Sequence, residues 1–597
     1  MKYRLLLPIV SMLFSAQAAL AEQESIDMIL HNGRITTQEQ RHPEVSAVAI
    51  QDGIITKVGS DKEILALKND NTKVIDVGGK RVIPGLNDSH LHASRGGRFY
   101  NTELRWEGLS SLKRGLDMVA EQAKRTPSDQ WVRVIGGWSP YQFDEKRMPT
   151  PAELTQAAPN TPVFVLFLYS QGFLNKAGVE ALKLTKNSKA PEGGRYEFTE
   201  DGGAILHAEP NPTILYQTIG ALPGLSEEEQ VNSTKQFYRE LNRFGLTSVI
   251  DAGGGGHTFP ENYIGTETLA KAGTMPLRVS SYLFPQRKGK ELEDFQKWTE
   301  NWKTNVNMAK KLEHGFEVEG GGEFLVWSAG DFENFMAPRP ELTERENWHS
   351  ELMAVTRHLL KEEWPIRIHA TYDESISHIM DVFEEADRLE KAEGRKGFAG
   401  IRWAIDHAET VSKPNLERIK ALGGGIAVQS RMAYAGEYFN ERYGAEVASH
   451  APPIRDIIEM GIPMGAGTDA TRVSSYNPWA SIQWLVTGKT AGGTPLQSKR
   501  NYLSREEALY YYTIGSAWFS GEETVKGRIA SGQYADLAVL NSDYFTIEED
   551  DITDIRSLLT VTGGTIVYAA DRFADENPSL PSVQPDWSPV AVFGGHQ

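Results

Sequence analysis

The residues best suited to chemistry begin at His90-Leu91-His92, which close the apolar stretch Val82-Ile83-Pro84-Gly85-Leu86-Asn87-Asp88-Ser89. Side chains two apart on an extended strand point the same way, so both imidazoles can be presented to one point. That suits a first-row ion such as Zn²⁺, which takes nitrogen ligands at about 2.0–2.1 Å. Three later apolar segments end in further donors: Ile366-Arg367-Ile368-His369, Ile405-Asp406-His407 and Gly467-Thr468-Asp469. Any one of these histidines alone is more readily structural. Four histidines and an aspartate, each closing a strand-like segment, form a donor set for a divalent cation. Such an ion lowers the pKa of its water towards 7 and so supplies a nucleophile at neutral pH. Zn²⁺ is the first choice for this set, although Fe²⁺, Mn²⁺ and Co²⁺ share the same donor preferences.

These donors need a scaffold that brings distant segments to one place. Eight candidate strands lie at 82–92, 247–252, 277–283, 324–329, 365–370, 402–408, 425–430 and 463–470, with helical patterns such as 375–388 and 414–422 between them. Eight βα units predict an α/β chain folded as a TIM (β/α)₈ barrel, whose catalytic groups lie at the C-terminal ends of the strands. The barrel is expected over 81–515, with an insertion at about 94–240 that shapes the substrate pocket. Trp138, Tyr141 and Tyr169 of that insertion are candidates for an apolar lining. Hairpin-rich text at 22–80 and again at 516–575 predicts a small β-sandwich domain assembled from both chain ends. The segment 576–597, with Pro578, Pro581, Pro585 and Pro589, reads as a tail or surface strap.

Composition narrows the partners. The chain has 62 basic and 80 acidic residues, for a net charge of −18. That balance argues against nucleic acid or an anionic membrane surface. It leaves a small molecule as the expected partner and oligomeric state open. With no cysteine in the chain, any metal must be held by His, Asp, Glu or a modified Lys. Residues 1–21 carry Lys2 and Arg4, an apolar run over 5–14 and the small-residue site Ala19-Leu20-Ala21. This is the pattern of a signal peptide. The run is too short for a permanent anchor, so the mature chain is expected in an exported compartment, the periplasm in a Gram-negative cell.

The pattern Pro84-Gly85-x-x-Asp88-x-His90-x-His92, followed by single histidines and a final aspartate on later strands, resembles the amidohydrolase superfamily. Gly33-Arg34-Ile35-Thr36 and Asp52-Gly53-Ile54-Ile55 resemble its opening β segment, and Gly532-Gln533-Tyr534-Ala535-Asp536-Leu537-Ala538-Val539-Leu540 its closing one. Leu241-Asn242-Arg243-Phe244-Gly245-Leu246-Thr247-Ser248-Val249-Ile250-Asp251-Ala252-Gly253 and Leu503-Ser504-Arg505-Glu506-Glu507-Ala508-Leu509 are similar to the amidohydrolase-3 branch, which includes N-substituted formamide deformylases. The resemblance implies hydrolysis of a non-peptide C–N bond in an amide, formamide or cyclic amide. A deaminase or C–O hydrolase would use the same activated water. A binding or regulatory protein on this fold, with a weakened centre, is the alternative from another class.

His90, His92 and His369 are the expected tight ligands. His407 is a fourth ligand, a second-site ligand or a donor polarising the substrate carbonyl. Asp469 is expected to touch the metal and carry the proton. Two-metal relatives bridge their ions with a carboxylated lysine on the fourth strand, but no lysine occurs between Lys311 and Lys361. Glu323, Asp331 and Glu333 could take its place, and spacing favours none of them. One ion is therefore the preferred expectation, with two as the alternative. Gln429 and Arg431 at the end of the seventh strand, Trp138, and His257 after the Gly253–Gly256 run are expected substrate contacts, with Arg431 as a fork for a carboxylate.

Overall fold

The computed structural model describes residues 25–302, 304, 315–339 and 341–597. The expected signal peptide, 1–21, lies outside the described residues. Eight parallel strands lie side by side in chain order: β1 (Leu86–Leu91), β2 (Leu246–Asp251), β3 (Arg278–Leu283), β4 (Phe316–Gly321), β5 (Ile366–Ala370), β6 (Trp403–His407), β7 (Gly425–Gln429) and β8 (Met464–Gly467). Apart from the first two residues of β4, every strand position is buried. A parallel sheet covered on both faces reads as continuous apolar text. Ile250, Tyr282, Ala404, Ala427 and Phe519 meet one another from opposite sides of the ring and fill its interior.

The ring is closed between its first and last strands. Asp469 N donates to His90 O at 2.8 Å and His92 N to Ala470 O at 3.0 Å. Asp88 accepts from both the backbone N and the hydroxyl of Thr468. The seam of the barrel therefore runs through three of the expected metal ligands. This is the expected TIM barrel.

Two strands differ from the sequence reading. The segment 82–92 breaks at Gly85 into Arg81–Pro84, which pairs antiparallel with Leu537–Leu540, and β1. A Cβ at Gly85 would lie 2.1 Å from Thr247 Oγ1, so only glycine fits this crossing between sheets. The fourth strand is Phe316–Gly321, not 324–329. Phe324-Leu325-Val326 is buried like a strand, but Trp327–Ala329 forms a 3₁₀ turn, with Trp327 N donating to Glu291 and its indole to Pro285 O. The true strand alternates Phe316, Glu317, Val318 and Glu319 before running into glycine, so its text lacks the apolar run.

Both chain ends build the sheets beneath the barrel. One has four strands, Ile54–Gly59, Ala47–Gln51, Met28–His31 and Lys73–Asp76. The other has six and interleaves Thr565–Ala569, Ser557–Thr562 and Leu537–Leu540 with Arg81–Pro84, Arg34–Thr36 and Glu44–Val45. Leu30, Val48 and Ile55 of the first sheet pack on Val82, Leu537 and Leu559 of the second. The segment between β1 and β2 has a five-stranded sheet of its own, Val132–Ile135 through Ala204–Ala208, with separate apolar clusters on its faces. The tail is strapped down by Asn232 and Gln236, whose side-chain amides donate to Ser582 O and Pro581 O.

Arg278 at the start of β3 ties the barrel to the end-built sheets through a two-pronged pair with Asp536, at 2.9 and 3.0 Å, with both side chains buried. Breaking a buried pair by removing one partner costs about 3–5 kcal/mol. Arg278→Met is expected to lower the unfolding free energy from urea titration by that amount, and Arg278→Met with Asp536→Leu to recover most of it. A single variant as stable as the parent would show that the pair does not hold the two parts together.

Candidate metal centre

Six side chains meet at the C-terminal ends of the strands. His90 ends β1 and His92 follows it, Glu323 stands two residues beyond β4, and His369 lies on β5. His407 closes β6, and Asp469 follows β8. Their ligating atoms interlock closely. Asp469 Oδ1 lies 3.4 Å from His90 Nε2 and 3.1 Å from His92 Nε2. Glu323 Oε2 lies 2.9 Å from His369 Nδ1, 3.3 Å from His407 Nε2 and 3.6 Å from His90 Nε2, while its Oε1 is 3.5 Å from His92 Nε2. One carboxylate thus faces all four imidazoles.

Strand geometry explains the convergence. Arg367 and His369 share the inward face of β5, and Arg367 lies over the interior rings of Tyr282 and Phe519. On β6 the inward residues are Ala404 and Asp406, so His407 would point outward on a regular strand. Its backbone instead turns to φ +82°, followed by Ala408 at +53°, and Asp469 adopts +60°. Positive φ is uncommon for residues with a side chain, and such strain clusters at functional sites. Gly322 before Glu323 has φ +143°, and a Cβ there would sit 2.4 Å from Arg367 O. The glycine run is what lets Glu323 approach.

On three of the four rings the other nitrogen faces an outer partner. His92 Nδ1 donates to Gly253 O at 2.9 Å. His90 Nδ1 faces Asp406 Oδ1 at 3.3 Å, and Asp406 accepts from Arg367 Nε at 3.0 Å. His369 Nε2 faces Glu333 at 2.8 Å, Glu333 pairs with Arg431 at 2.7 Å, and Arg431 pairs with Glu409 at 2.6 Å. Such outer partners fix ring orientation and leave the inward nitrogen free to ligate.

The electrostatics call for positive charge at the centre. Burial opposes charge on Asp469, but the His90 and His92 rings beside it hold its carboxyl well below the ordinary range. Burial also works against a charged His90, yet Asp406 and Glu323 outweigh it and raise it to about 10. Burial and then Arg431 push His407 the other way, well below the usual histidine value. A proton or a cation would meet this demand. The spacing fits a cation: two donors about 2.0–2.1 Å from a tetrahedral ion lie about 3.4 Å apart, and the contacts above run from 2.9 to 3.6 Å. His90 Nε2 is sealed from solvent with no hydrogen-bond partner. Among the described residues, two triads have the reach to hold an ion, His90-His92-Asp469 and His90-Glu323-His407.

The remaining expected residues separate clearly. Gln429 shares the inward face of β7 with Ala427, is buried, and has no partner for either amide atom. Arg431 lies beside the cluster, but Glu333 and Glu409 already neutralise it, so it is no free fork for a carboxylate. Trp138 packs with Trp106 and Phe143 in the core of the inserted sheet, where its indole donates to Leu166 O, and it does not line the cavity. Tyr141 packs on Tyr438, also off the cavity. His257 is buried against Tyr263 with rings 4.6 Å apart and lies off the lining too. Asp331 accepts from Thr371 N and Tyr372 N and so holds the loop after β5. Sequence reasoning passed over Arg367 and Asp406, although each lies two residues from a position on the same inward face.

The cavity over the cluster is lined by His92, Glu323, His369 and Asp469. Glu333, Arg95, Tyr169 and Tyr216 line it too, together with the aromatic cluster of Phe284, Phe324, Trp327 and Phe332. The free space is about 30 Å³, room for a single water-sized group, so a side chain must turn aside to admit more. A larger cavity of about 690 Å³ lies against the end-built sheets, between Arg239, Met275 and Thr562. It contains none of the clustered ligands.

With this geometry in place, comparison with known proteins is direct. The chain is 25% identical over 571 residues to the N-substituted formamide deformylase of Arthrobacter pascens, covering 91% of this chain and 98% of that protein. It is 23% identical over 561 residues to the amidohydrolase YtcJ of Bacillus subtilis (strain 168), covering 90% and 99%. Among solved structures, an uncharacterized metal-dependent hydrolase from Pyrococcus horikoshii superposes with a TM-score of 0.61 at 22% identity, covering 88% of this chain and 99% of that one. The model of the amidohydrolase family matches residues 73–568. The chain belongs to the amidohydrolase family.

Proposed function

We propose that the protein hydrolyses a C–N bond outside ordinary peptides, in a small amide, formamide or cyclic amide, and that it does so in an exported compartment. The observation that carries the reading is the complete donor set around Glu323. A scaffold kept only for binding has no evident need for buried carboxylates held between four imidazoles, three of which face an outer partner through their other nitrogen. The Arthrobacter pascens relative, named for deformylation of N-substituted formamides, supports the bond class.

His90, His92 and Asp469 would hold one cation, and His369 and His407 a second, with Glu323 between them where a modified lysine is absent. Two positions fit this arrangement better than the single ion expected from the sequence. Zn²⁺ suits the donors best. When bound, the ions supply an activated water and a Lewis acid for the substrate carbonyl. Asp469 accepts the water's proton at a carboxylate oxygen and delivers it to the leaving nitrogen. Glu333 accepts from His369 Nε2 and keeps that ring's Nδ1 turned to the centre. Gly253 O does the same for His92. The aromatic cluster excludes bulk water from the cavity.

Purified mature protein is expected to hold about two equivalents of metal, with Glu323→Gln losing at least one. No metal under replete conditions would sink the hydrolytic reading, and one equivalent in both proteins would restore the single-ion site. A screen of N-formyl and N-acyl amines is expected to find turnover. Asp469→Asn should keep most of the metal and lose about 10²–10⁴-fold in kcat, the range for a positioned proton carrier. Unchanged turnover would remove Asp469 from that role. Export rests on Lys2, Arg4, the apolar run and Ala19-Leu20-Ala21. The periplasmic form should begin at Glu22 by N-terminal sequencing, and an uncleaved cytosolic chain would contradict it.

A further inference from the structure

The arginines around the barrel mouth have different fates. Arg367 is held by Asp406, Arg431 by Glu333 and Glu409, and Arg105 by Glu103 and Glu107. Arg95 has no ion pair and no hydrogen bond among the described residues. It is 3% exposed, lines the cavity, and its Nε is sealed from solvent without a partner. It stands three residues after His92, in the helix Ala93–Phe99. A Cβ at Gly254 would meet Arg95 Nη1 at 2.6 Å and His92 Nδ1 at 3.2 Å, so the guanidinium lies beside the His92 ring. The carboxylates nearest it are committed elsewhere: Glu323 and Asp469 face the histidines, and Glu103 is joined to Arg105.

A second guanidinium repeats the pattern. Arg472 is 5% exposed and lies 5.7 Å over the ring of Tyr216, with Nη1 sealed and unpartnered. Tyr216 stacks with Tyr169 at 5.3 Å, and both line the cavity. In the same lining, Phe324 packs against Phe284, Trp327 and Phe332, with ring centroids 5.0, 5.7 and 5.8 Å away. The lining of the pocket thus joins one unpaired guanidinium, Arg95, to a cluster of aromatic rings and the candidate metal ligands. Burying an unpaired charge is costly. The chain carries a net charge of −18, yet the carboxylates near Arg95 are engaged with other groups and none forms an ion pair with it. A guanidinium fork matches a carboxylate in two parallel bonds.

We infer that the substrate is an amide bearing a carboxylate, bound on Arg95, with an apolar or aromatic group laid against Phe284 and Phe324. N-formyl and N-acyl derivatives of aromatic amino acids fit that description. The inference rests on the hydrolytic reading for the bond cleaved, but not for the anion bound.

The test pairs N-formylphenylalanine with N-formyl-2-phenylethylamine, which share the formamide and differ by the carboxylate. The metal-loaded parent is expected to favour the acid by at least about 30-fold in kcat/KM, a margin consistent with discrimination by a buried polar site. Arg95→Met should reduce that ratio to near one, and Arg95→Lys should restore part of it. Calorimetry with 3-phenylpropanoate gives a readout without turnover, and binding should weaken at least about 10-fold in Arg95→Met. Equal turnover of the two formamides by the parent, which needs no variant to fold, overturns the inference and leaves the hydrolytic reading intact. So does phenylpropanoate binding indifferent to Arg95→Met. If neither formamide is cleaved but phenylpropanoate binds through Arg95, the anion site stands and formamides are removed from the bonds it serves.

Discussion

Two buried carboxylates, Glu323 and Asp469, press on the same imidazole from different strands, at 3.6 and 3.4 Å from His90 Nε2. Like charges about 4 Å apart at an effective dielectric of 20 repel by about 4 kcal/mol, so this arrangement persists only with positive charge between them. Much of the surrounding structure answers that demand. The four histidines supply neutral donors that can hold a cation. Arg367 and Arg431 stand one layer further out, each neutralised by its own carboxylate, Asp406 or Glu409, so they position the rings without competing for the centre. The polar layer balances as a unit, and changing one member leaves another buried and unpaired.

Holding such a cluster requires a backbone that cannot drift. The barrel seam provides it, because the hydrogen bonds that close the ring, Asp469 N to His90 O and His92 N to Ala470 O, belong to the ligands themselves. A shift of β8 against β1 would therefore move Asp469, His90 and His92 together. Positive φ at His407 and Asp469 turns side chains that regular strand geometry would aim elsewhere. Close packing of the interior by Tyr282 and Phe519 beneath Arg367 makes that strain affordable. In this fold, stability of the ring and geometry of the site are one property.

This coupling also decides what the sequence could disclose. His90, His92, His369, His407 and Asp469 were legible because each ends a segment whose apolar text marks a buried parallel strand, and strand ends are where this architecture collects its chemistry. Glu323 was not. Its strand carries Glu317 and Glu319 and fades into Gly320-Gly321-Gly322, while Phe324-Leu325-Val326 just beyond mimics a strand with loop residues buried under the aromatic cluster. Reading the glycine triplet as a place where backbone must approach closely would have pointed to the residue after it. Trp138 misled for the opposite reason, since an insertion large enough to form its own sheet uses its aromatics on itself. The fate of Arg431 depends on Glu333 and Glu409, which come from other loops, and no local pattern encodes a meeting of three segments.

Arg431 and Arg95 make the general point in one site. Both are buried guanidiniums near the same ligands, and composition or position in the chain would assign them alike. What separates them is the number of carboxylates in ion-pair contact: two, Glu333 and Glu409, for Arg431, and none for Arg95 among the described residues. The first is thereby part of the scaffold, because its charge is already balanced whether or not anything binds. The second leaves a charge that only a ligand can balance, and that asymmetry gives the cavity a direction. A molecule engaging both Arg95 and the aromatic cluster would be held at two points over the clustered ligands, whereas one engaging a single point would be free to rotate away. Selectivity on this fold then follows from which buried charges the protein leaves unpaired, and these are set by loop residues that the barrel itself leaves free to vary.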